Sequence, residues 1–307
     1  MREPEMTQEL QAELHQGVLV RFFGGFYVAA DADGQEYTLR CPKKLRHQKM
    51  TPMVGDRVRF TPGQGEEEGW LVEILPRKTE CIRPPVANVT LLLVSICPSP
   101  EPDLLLVDRL LARAKKQGMK TALIVGKCDL DGGKLLSQMQ EEYRGADCPV
   151  LGVSARNKEG LDSVRALMCG ADCCCLAGQS GVGKSTLLNA LLDLQLETGE
   201  ISEKIQRGKN TTRYAQLLIH DGIRVLDTAG FSLLETEKGM EPEKLQELYP
   251  EFQPYIGQCR FQPCLHDREP GCAVTQAVQA GEIDENRVAR YRELLADVRL
   301  AWKNRYQ

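Results

Sequence analysis

No stretch of this chain reaches the ~18 consecutive apolar residues that a membrane-spanning helix needs, and Leu91–Cys97 is only long enough for a buried strand. A secretion signal is missing as well. Met1–Glu13 is acidic and polar, without a basic start followed by an apolar run. Nor is there an excess of positive charge. Lys and Arg total 39 against 43 Asp and Glu, a net charge of −4. That excludes a surface coated in basic residues but leaves room for a local patch. Twelve cysteines in a chain that is neither short nor exported argue against a disulfide framework. What remains is ordinary globular material, 42% apolar and 27% charged over 307 residues. At roughly 100–200 residues per domain, that length predicts two or three domains. The expectation is a soluble, cytoplasmic, multidomain protein.

Residues 16–80 read as all-β. Gly17–Phe23, Phe26–Ala30, Gln35–Arg40, Asp56–Thr61 and Trp70–Leu75 are short runs separated by turn signals such as Gly24-Gly25, Asp33-Gly34 and Pro62-Gly63. Five such strands suit a small barrel, with the OB-fold the leading candidate. Between Arg40 and Arg59 lie seven basic residues, Lys43, Lys44, Arg46, Lys49 and Arg57 among them, against Asp56 alone. A local charge of +6 is a solvated loop face or a nucleic-acid contact, and a barrel of this type favours RNA.

After Pro84-Pro85 the pattern turns α/β. Val89–Cys97 reads as a buried strand. Asp103–Gln117 reads as a helix capped by Asp103 and stopped by Gly118, with Leu104, Val107, Leu111 and Ala114 on one face. Further strands are expected at Thr121–Val125, Val150–Val153, Cys173–Ala177 and Ile223–Leu226, the signature of a parallel sheet. Beyond about Leu234 the chain becomes helical. It ends in an amphipathic helix, Asp284–Asn304, with Val288, Tyr291, Leu295, Val298 and Trp302 in one stripe.

Gly178-Gln179-Ser180-Gly181-Val182-Gly183-Lys184-Ser185 fits the phosphate-loop pattern G-x-x-x-x-G-K-[ST] completely. An apolar strand precedes it, and Thr186–Leu192 begins a helix after it. Glycines let backbone N–H groups turn towards phosphate oxygens, and the helix N-terminus adds its dipole. Lys184 is expected on the β- and γ-phosphates and the Ser185 hydroxyl on Mg²⁺. Downstream, Asp227-Thr228-Ala229-Gly230 ends a strand, placing Asp227 near the metal and leaving the Gly230 N–H to sense a γ-phosphate. Between them lies Gly208-Lys209-Asn210-Thr211-Thr212, a switch-like segment in which Thr211 or Thr212 completes the Mg²⁺ shell. Together these motifs indicate a nucleoside triphosphatase.

Guanine specificity calls for a carboxylate that accepts from N1–H and the 2-amino group. Thr121–Val125 leads into Gly126-Lys127-Cys128-Asp129, where Asp129 fills that role, and Val150–Val153 leads into Ser154-Ala155. Both base motifs precede the phosphate loop, whereas an ordinary GTPase places them after it. The order is that of a circular permutation, which is tolerated when the cut falls in a surface loop.

Cys259, Cys264, His266 and Cys272 supply three thiols and an imidazole within 14 residues. That donor set suits a closed, structural Zn²⁺ site in a segment whose own core is thin. The other nine cysteines read as reduced thiols, and His15, His47 and His220 lack ligand-spaced partners.

On these residues the chain resembles the circularly permuted GTPases that depend on the small ribosomal subunit, the RsgA/YjeQ-like family. The resemblance runs from Gly17-Val18-Leu19-Val20-Arg21 and Gly24-Gly25-Phe26-Tyr27 through the permuted motifs. It continues to Pro250-Glu251-Phe252 and to Cys259-Arg260-Phe261, Cys264-Leu265-His266 and Glu269-Pro270-Gly271-Cys272-Ala273-Val274. It implies an OB-fold (residues 1–84), a permuted GTPase domain (85–235) and a helical zinc domain (236–307). It also implies a monomer that acts late in small-subunit maturation through rRNA and hydrolyses GTP faster on the subunit.

Three positions depart from the family pattern. Gly126 replaces an Asn whose amide ties the base loop to the phosphate loop, so weaker binding with unchanged guanine preference is expected. Asn210 stands where His is frequent, and Asp227-Thr228-Ala229-Gly230 differs from Asp-Ser-Pro-Gly. Phe231, as in the family, stands where Ras-like enzymes carry a water-orienting Gln, so intrinsic hydrolysis is expected to be slow. Two other readings stay open. One is a P-loop kinase or ATPase, against which Asp129 and Ser154-Ala155 argue. The other is a zinc- and OB-containing RNA-binding module with a degenerate nucleotide site, which Gly126 and Asn210 favour and a phosphate-release assay tests.

Overall fold

The computed structural model describes residues 14–42, 45, 50–63, 65, 67–81, 85–193, 215–227 and 240–305. These form two compact units. One holds the described residues up to 90 with 168–175 and 215–227, the other 91–167 with 176–193 and 240–305.

The first unit opens with a barrel. Strands β1 (His15–Phe23), β2 (Phe26–Ala30), β3 (Glu36–Arg40), β4 (Arg57–Thr61) and β5 (Gly69–Ile74) close in the order β1-β2-β3-β5-β4. β4 returns antiparallel to β1, and β3 runs parallel to β5. Period-two alternation turns Leu19, Ala29, Leu39, Val58, Phe60 and Leu71 inwards to fill the interior. This is the OB-type barrel that five short strands predict.

The turn into β4 is fixed by a buried charge. Asp56 accepts from Arg77 Nε at 2.7 Å, from Arg77 Nη2 at 2.8 Å and from the Met53 N–H at 2.7 Å. The basic stretch is also less bare than its count suggests, because Arg40 pairs with Glu68 and Arg59 with Glu73. Its Lys43, Lys44, Arg46 and Lys49 lie outside the described residues, as does His47. A short ladder, β6 (Glu80–Cys81) with β7 (Val86–Ala87), leads out of the barrel.

The central sheet has the order β10-β9-β8-β11-β13-β12. Its strands are β8 (Leu91–Ile96), β9 (Lys120–Val125), β10 (Val150–Gly152), β11 (Cys174–Ala177), β12 (Gln216–His220) and β13 (Ile223–Asp227). β8, β9 and β10 are parallel neighbours, as are β11 and β13. β8 is buried along its whole length, the mark of a strand covered on both faces. The sheet departs from the parallel expectation at one edge, where β12 pairs antiparallel with β13. Asp221 and Gly222 turn that hairpin with φ of 48° and 76°, the paired positive values of a type I′ turn.

Helices α1 (Leu104–Lys116), α2 (Lys134–Glu142), α3 (Leu161–Cys169) and α4 (Lys184–Leu192) connect the strands. α1 begins where Asp103 Oδ1 accepts from the Leu106 N–H at 2.9 Å, and it stops at Gly118.

Residues 240–305 contain 3₁₀ segments at Pro242–Leu248 and Pro250–Tyr255, then α5 (Ala273–Gln279) and α6 (Glu285–Lys303). Tyr249, Phe252, Tyr291, Leu294, Leu295 and Val298 form a core that also takes in Ala112 of α1. Beside it lies a buried ionic network. Asp108 of α1 accepts from Arg290 Nε at 2.7 Å and from Tyr143 Oη at 2.7 Å, and it pairs with Arg287. Arg287 also donates to Glu251 through Nε at 2.9 Å and Nη2 at 2.6 Å, while Arg290 pairs with Glu142. Burial alone would lower the Arg287 guanidinium pKa; the charges of Asp108 and Glu251 reverse this and raise it well above its ordinary value. Among the described residues no helix is long and apolar enough to cross a membrane.

Candidate functional site: a permuted nucleotide site and a four-donor metal centre

The base motif, Ser154-Ala155 and the phosphate loop each follow the carboxyl end of a parallel strand, where open α/β sheets place their ligands. Gly178 leaves β11 with φ 133°, and a Cβ there would lie 2.2 Å from the Ser95 carbonyl oxygen, so the strand can turn only at glycine. Val182 is buried and anchors the middle of the loop. α4 starts at Lys184 without a side-chain cap, leaving first-turn N–H groups, those of Ser185 and Thr186 among them, to an anionic ligand. Lys184 Nζ donates to the carbonyls of Gly178 and Gln179, each at 2.8 Å, and burial lowers its pKa. Ser180, Gly181 and Thr186 are exposed, while Gly183 and Ser185 are half-buried.

The base loop meets the phosphate loop through Lys127. Its Nζ donates to the Gly181 carbonyl at 3.2 Å and to the Ser99 carbonyl at 2.9 Å. Ser154 Oγ, buried after β10, donates to Asp129 Oδ1 at 2.7 Å. That hydrogen bond lowers the Asp129 pKa and holds it as an exposed carboxylate, an acceptor only. The Ser154 hydroxyl in turn accepts from the Asn157 N–H at 3.2 Å, and Ala155 follows half-buried. Cys128 points back, its Sγ donating to the Val125 carbonyl at 3.1 Å. Gly126 has room that it does not use. A Cβ there would meet only Ile96 O at 3.5 Å and Val182 O at 3.8 Å.

Asp227 is the last residue of β13, the strand paired with β11. Thr211, Thr212 and Gly230, with Asn210 and Phe231, lie outside the described residues.

In the C-terminal segment the ligand atoms of Cys259, Cys264, His266 and Cys272 all lie within 4.8 Å of one another, and all four residues are buried. His266 Nδ1 stands 3.6 Å from Cys259 Sγ, 3.6 Å from Cys264 Sγ and 3.4 Å from Cys272 Sγ. Burial pushes the Cys264 thiol well up, and the adjoining Cys259 and Cys272 add to the shift, so thiolates here require a cation among them. The surroundings suit one. Backbone N–H groups of Ala273 and His266 donate to Cys259 Sγ at 3.3 Å and to Cys264 Sγ at 3.4 Å. Gln246 Oε1 lies 2.8 Å from His266 Nε2, which places the ring proton there and leaves Nδ1 free to ligate. Glu269 accepts from the N–H groups of Leu265 and Asp267 and fixes the loop. Gln246 escaped the sequence reading because it lies 20 residues from His266 and carries no metal-ligand chemistry of its own.

Comparison with known proteins matches residues 74–237 to the family model "RsgA GTPase" and residues 16–71 to "RsgA N-terminal domain". The "Small ribosomal subunit biogenesis GTPase RsgA" of Geobacillus thermodenitrificans is 42% identical over 289 residues, covering 92% of this chain and 97% of that protein. Its namesake in Moorella thermoacetica is 40% identical over 286 residues, with 92% and 97% covered. Among solved structures, YjeQ from Thermotoga maritima superposes with a TM-score of 0.80 at 32% identity, covering 93% of this chain and 98% of that one. YloQ, described as a circularly permuted GTPase, gives 0.77 at 30% identity, with 96% and 98% covered. The likeness spans the barrel, the base and phosphate loops in their permuted order, and the C-terminal segment alike, and on it the chain belongs to the RsgA GTPase family, hydrolases that act on GTP.

Proposed function

We propose that the chain is a GTP-driven factor for late maturation of the small ribosomal subunit. In this reading it binds rRNA, hydrolyses GTP to GDP and phosphate, and turns over faster on the subunit. The relatives' shared name points to the ribosome. The observation that carries the nucleotide chemistry is the Asp129–Ser154 pair, joined through Lys127 to a complete phosphate loop. Asp129 accepts from the guanine edge, and adenine, with an acceptor at N1 and no 2-amino group, is refused. Lys184 and the N–H groups that open α4 hold the phosphates. Ser185 and Asp227, with Thr211 or Thr212, hold Mg²⁺, which neutralises charge between the phosphates. Gly230 senses the γ-phosphate.

The three segments then divide the work: residues 1–84 for RNA, 85–235 for GTP and 236–307 for the metal centre. The basic stretch between Arg40 and Arg59 serves rRNA phosphates. Zn²⁺ suits the four C-terminal donors. With Zn–S near 2.3 Å and Zn–N near 2.0–2.1 Å, a tetrahedral ion sets Sγ–Nδ1 separations at roughly 3.6 Å, close to those between His266 and the three thiols. A closed Cys₃His set leaves no position for water, so the metal's role is structural. The protein works as a monomer in the cytoplasm.

Phosphate release from GTP, measured with and without isolated small subunits, tests the proposal. Slow turnover alone and much faster turnover with subunits is the expected result. Equal rates would remove the stimulation, and unchanged turnover in Lys184→Ala would reject the site.

A further inference from the structure

The second residue of the phosphate loop spends its side chain on the segment between β8 and α1. Gln179 Nε2 donates to the Glu101 carbonyl at 2.9 Å, and Gln179 Oε1 accepts from the Asp103 N–H at 2.8 Å. Both ends of one carboxamide are thus used, and its orientation is fixed by its partners, a carbonyl on one side and an N–H on the other. The segment it grips, residues 97–103 between β8 and α1, is held elsewhere too. Lys127 Nζ donates to Ser99 O, and Cys97 Sγ donates to the same oxygen at 3.0 Å. Asp103 itself caps α1. The phosphate loop is therefore fastened at two residues, Gln179 directly and Gly181 by way of Lys127, to the segment between β8 and α1.

We propose that Gln179 is a positioning residue: its carboxamide holds the phosphate loop against the start of α1 in the form that receives phosphate, before nucleotide arrives. Resting on the GTPase reading, this gives one side chain a task that the phosphate-loop pattern does not assign. A loop held open in advance loses less freedom on binding. Its loss weakens GTP and GDP alike, because neither contact changes as the γ-phosphate is cleaved, so KM rises while kcat holds.

The test uses the full-length, metal-loaded protein with fluorescent GDP and a non-hydrolysable GTP analogue as probes. Gln179→Met keeps the length of the side chain and removes both hydrogen bonds. Its Kd for each nucleotide should rise about tenfold, the scale of two neutral hydrogen bonds. KM for GTP should rise in step, with kcat within about twofold; the melting temperature of the nucleotide-free protein should fall only slightly, because the same hydrogen bonds hold the empty loop, and its circular dichroism should not change. Gln179→Glu keeps the acceptor towards Asp103 but sets a carboxylate against the Glu101 carbonyl and in the loop that receives phosphate, so its Kd should rise at least as far as in Gln179→Met. Nucleotide affinity in Gln179→Met within twofold of the parent would overturn the proposal. So would a loss of affinity accompanied by loss of native circular dichroism in both variants, or by an equal fall in kcat, which would make Gln179 an ordinary structural residue. Failure of the parent protein to bind GTP would instead sink the GTPase reading.

Discussion

The Ser154 hydroxyl stands 2.7 Å from Asp129 and lowers its pKa. A carboxyl with a depressed pKa keeps its charge above the ordinary range and loses it only as pH falls through the lowered value. Guanine binding through Asp129 should therefore persist to more acid pH than a free carboxylate allows. In Ser154→Ala the acid limb of GDP affinity should move to higher pH. Titrating GDP binding from about pH 3 to 7 in both proteins checks this, and coincident acid limbs would contradict it. Gly126 allows a test in the other direction. The space beside it accepts a Cβ at ordinary contact distances from Ile96 O and Val182 O. Gly126→Asn should tighten GDP binding by about 1–2 kcal/mol, roughly 5- to 30-fold, by restoring an amide between the base and phosphate loops. Calorimetry with GDP measures the gain, and ATP should remain a poor competitor.

α1 is an amphipathic helix with an acid on its buried side. Asp108 is held by Arg287, Arg290 and Tyr143, and removing one partner of such a set leaves the others charged in the interior. Asp108→Ala should cost about 3–5 kcal/mol in urea unfolding, against a few tenths for an exposed pair such as Lys115–Asp147. Similar losses for both would show that the network is not a buried one.

The elements differ in how readable they were. Strands β1 to β5 lie between glycine and proline turns, so their limits could be placed to within about two residues. α1 and α6 carry their caps, Asp103 and Asp284, in the sequence. β12 was legible and passed over: Asp221-Gly222 between two apolar runs is a hairpin signal, but a pattern of strands alternating with helices favours parallel pairing. Asp108 was not legible. Its arginines are about 180 residues away, and no local pattern separates it from a solvated acid. The phosphate loop and the Cys/His cluster were readable because their partners are near in sequence, whereas the Gln179 contacts span 76 and 78 residues.

At the scale of the molecule, the four-donor cluster and α1 share one core, in which Cys259, Cys264 and Cys272 pack with Phe252, Tyr291 and Ala112. Removing the proposed Zn²⁺ with a chelator, or through Cys264→Ser, should lower amide-exchange protection in α5 and α6 and also in α1. Mass spectrometry resolves the three helices, and protection lost from residues 259–279 alone would mean the ion stabilises its own loop only.

Asp108 meets Arg290 across 182 residues of chain, and that span has a meaning in time. A ribosome adds about 5–20 residues per second, so roughly 10–40 s pass between the synthesis of the two. Throughout that interval the nascent chain carries the base loop, and later the phosphate loop, without the arginines that neutralise a carboxylate its own fold encloses. α1 cannot complete its ion pairs until α6, which carries both arginines, has been made. The contacts that neutralise Asp108 are therefore made long after α1 and the base loop behind it have been synthesised, so the buried side of α1 is among the late surfaces of this fold to close.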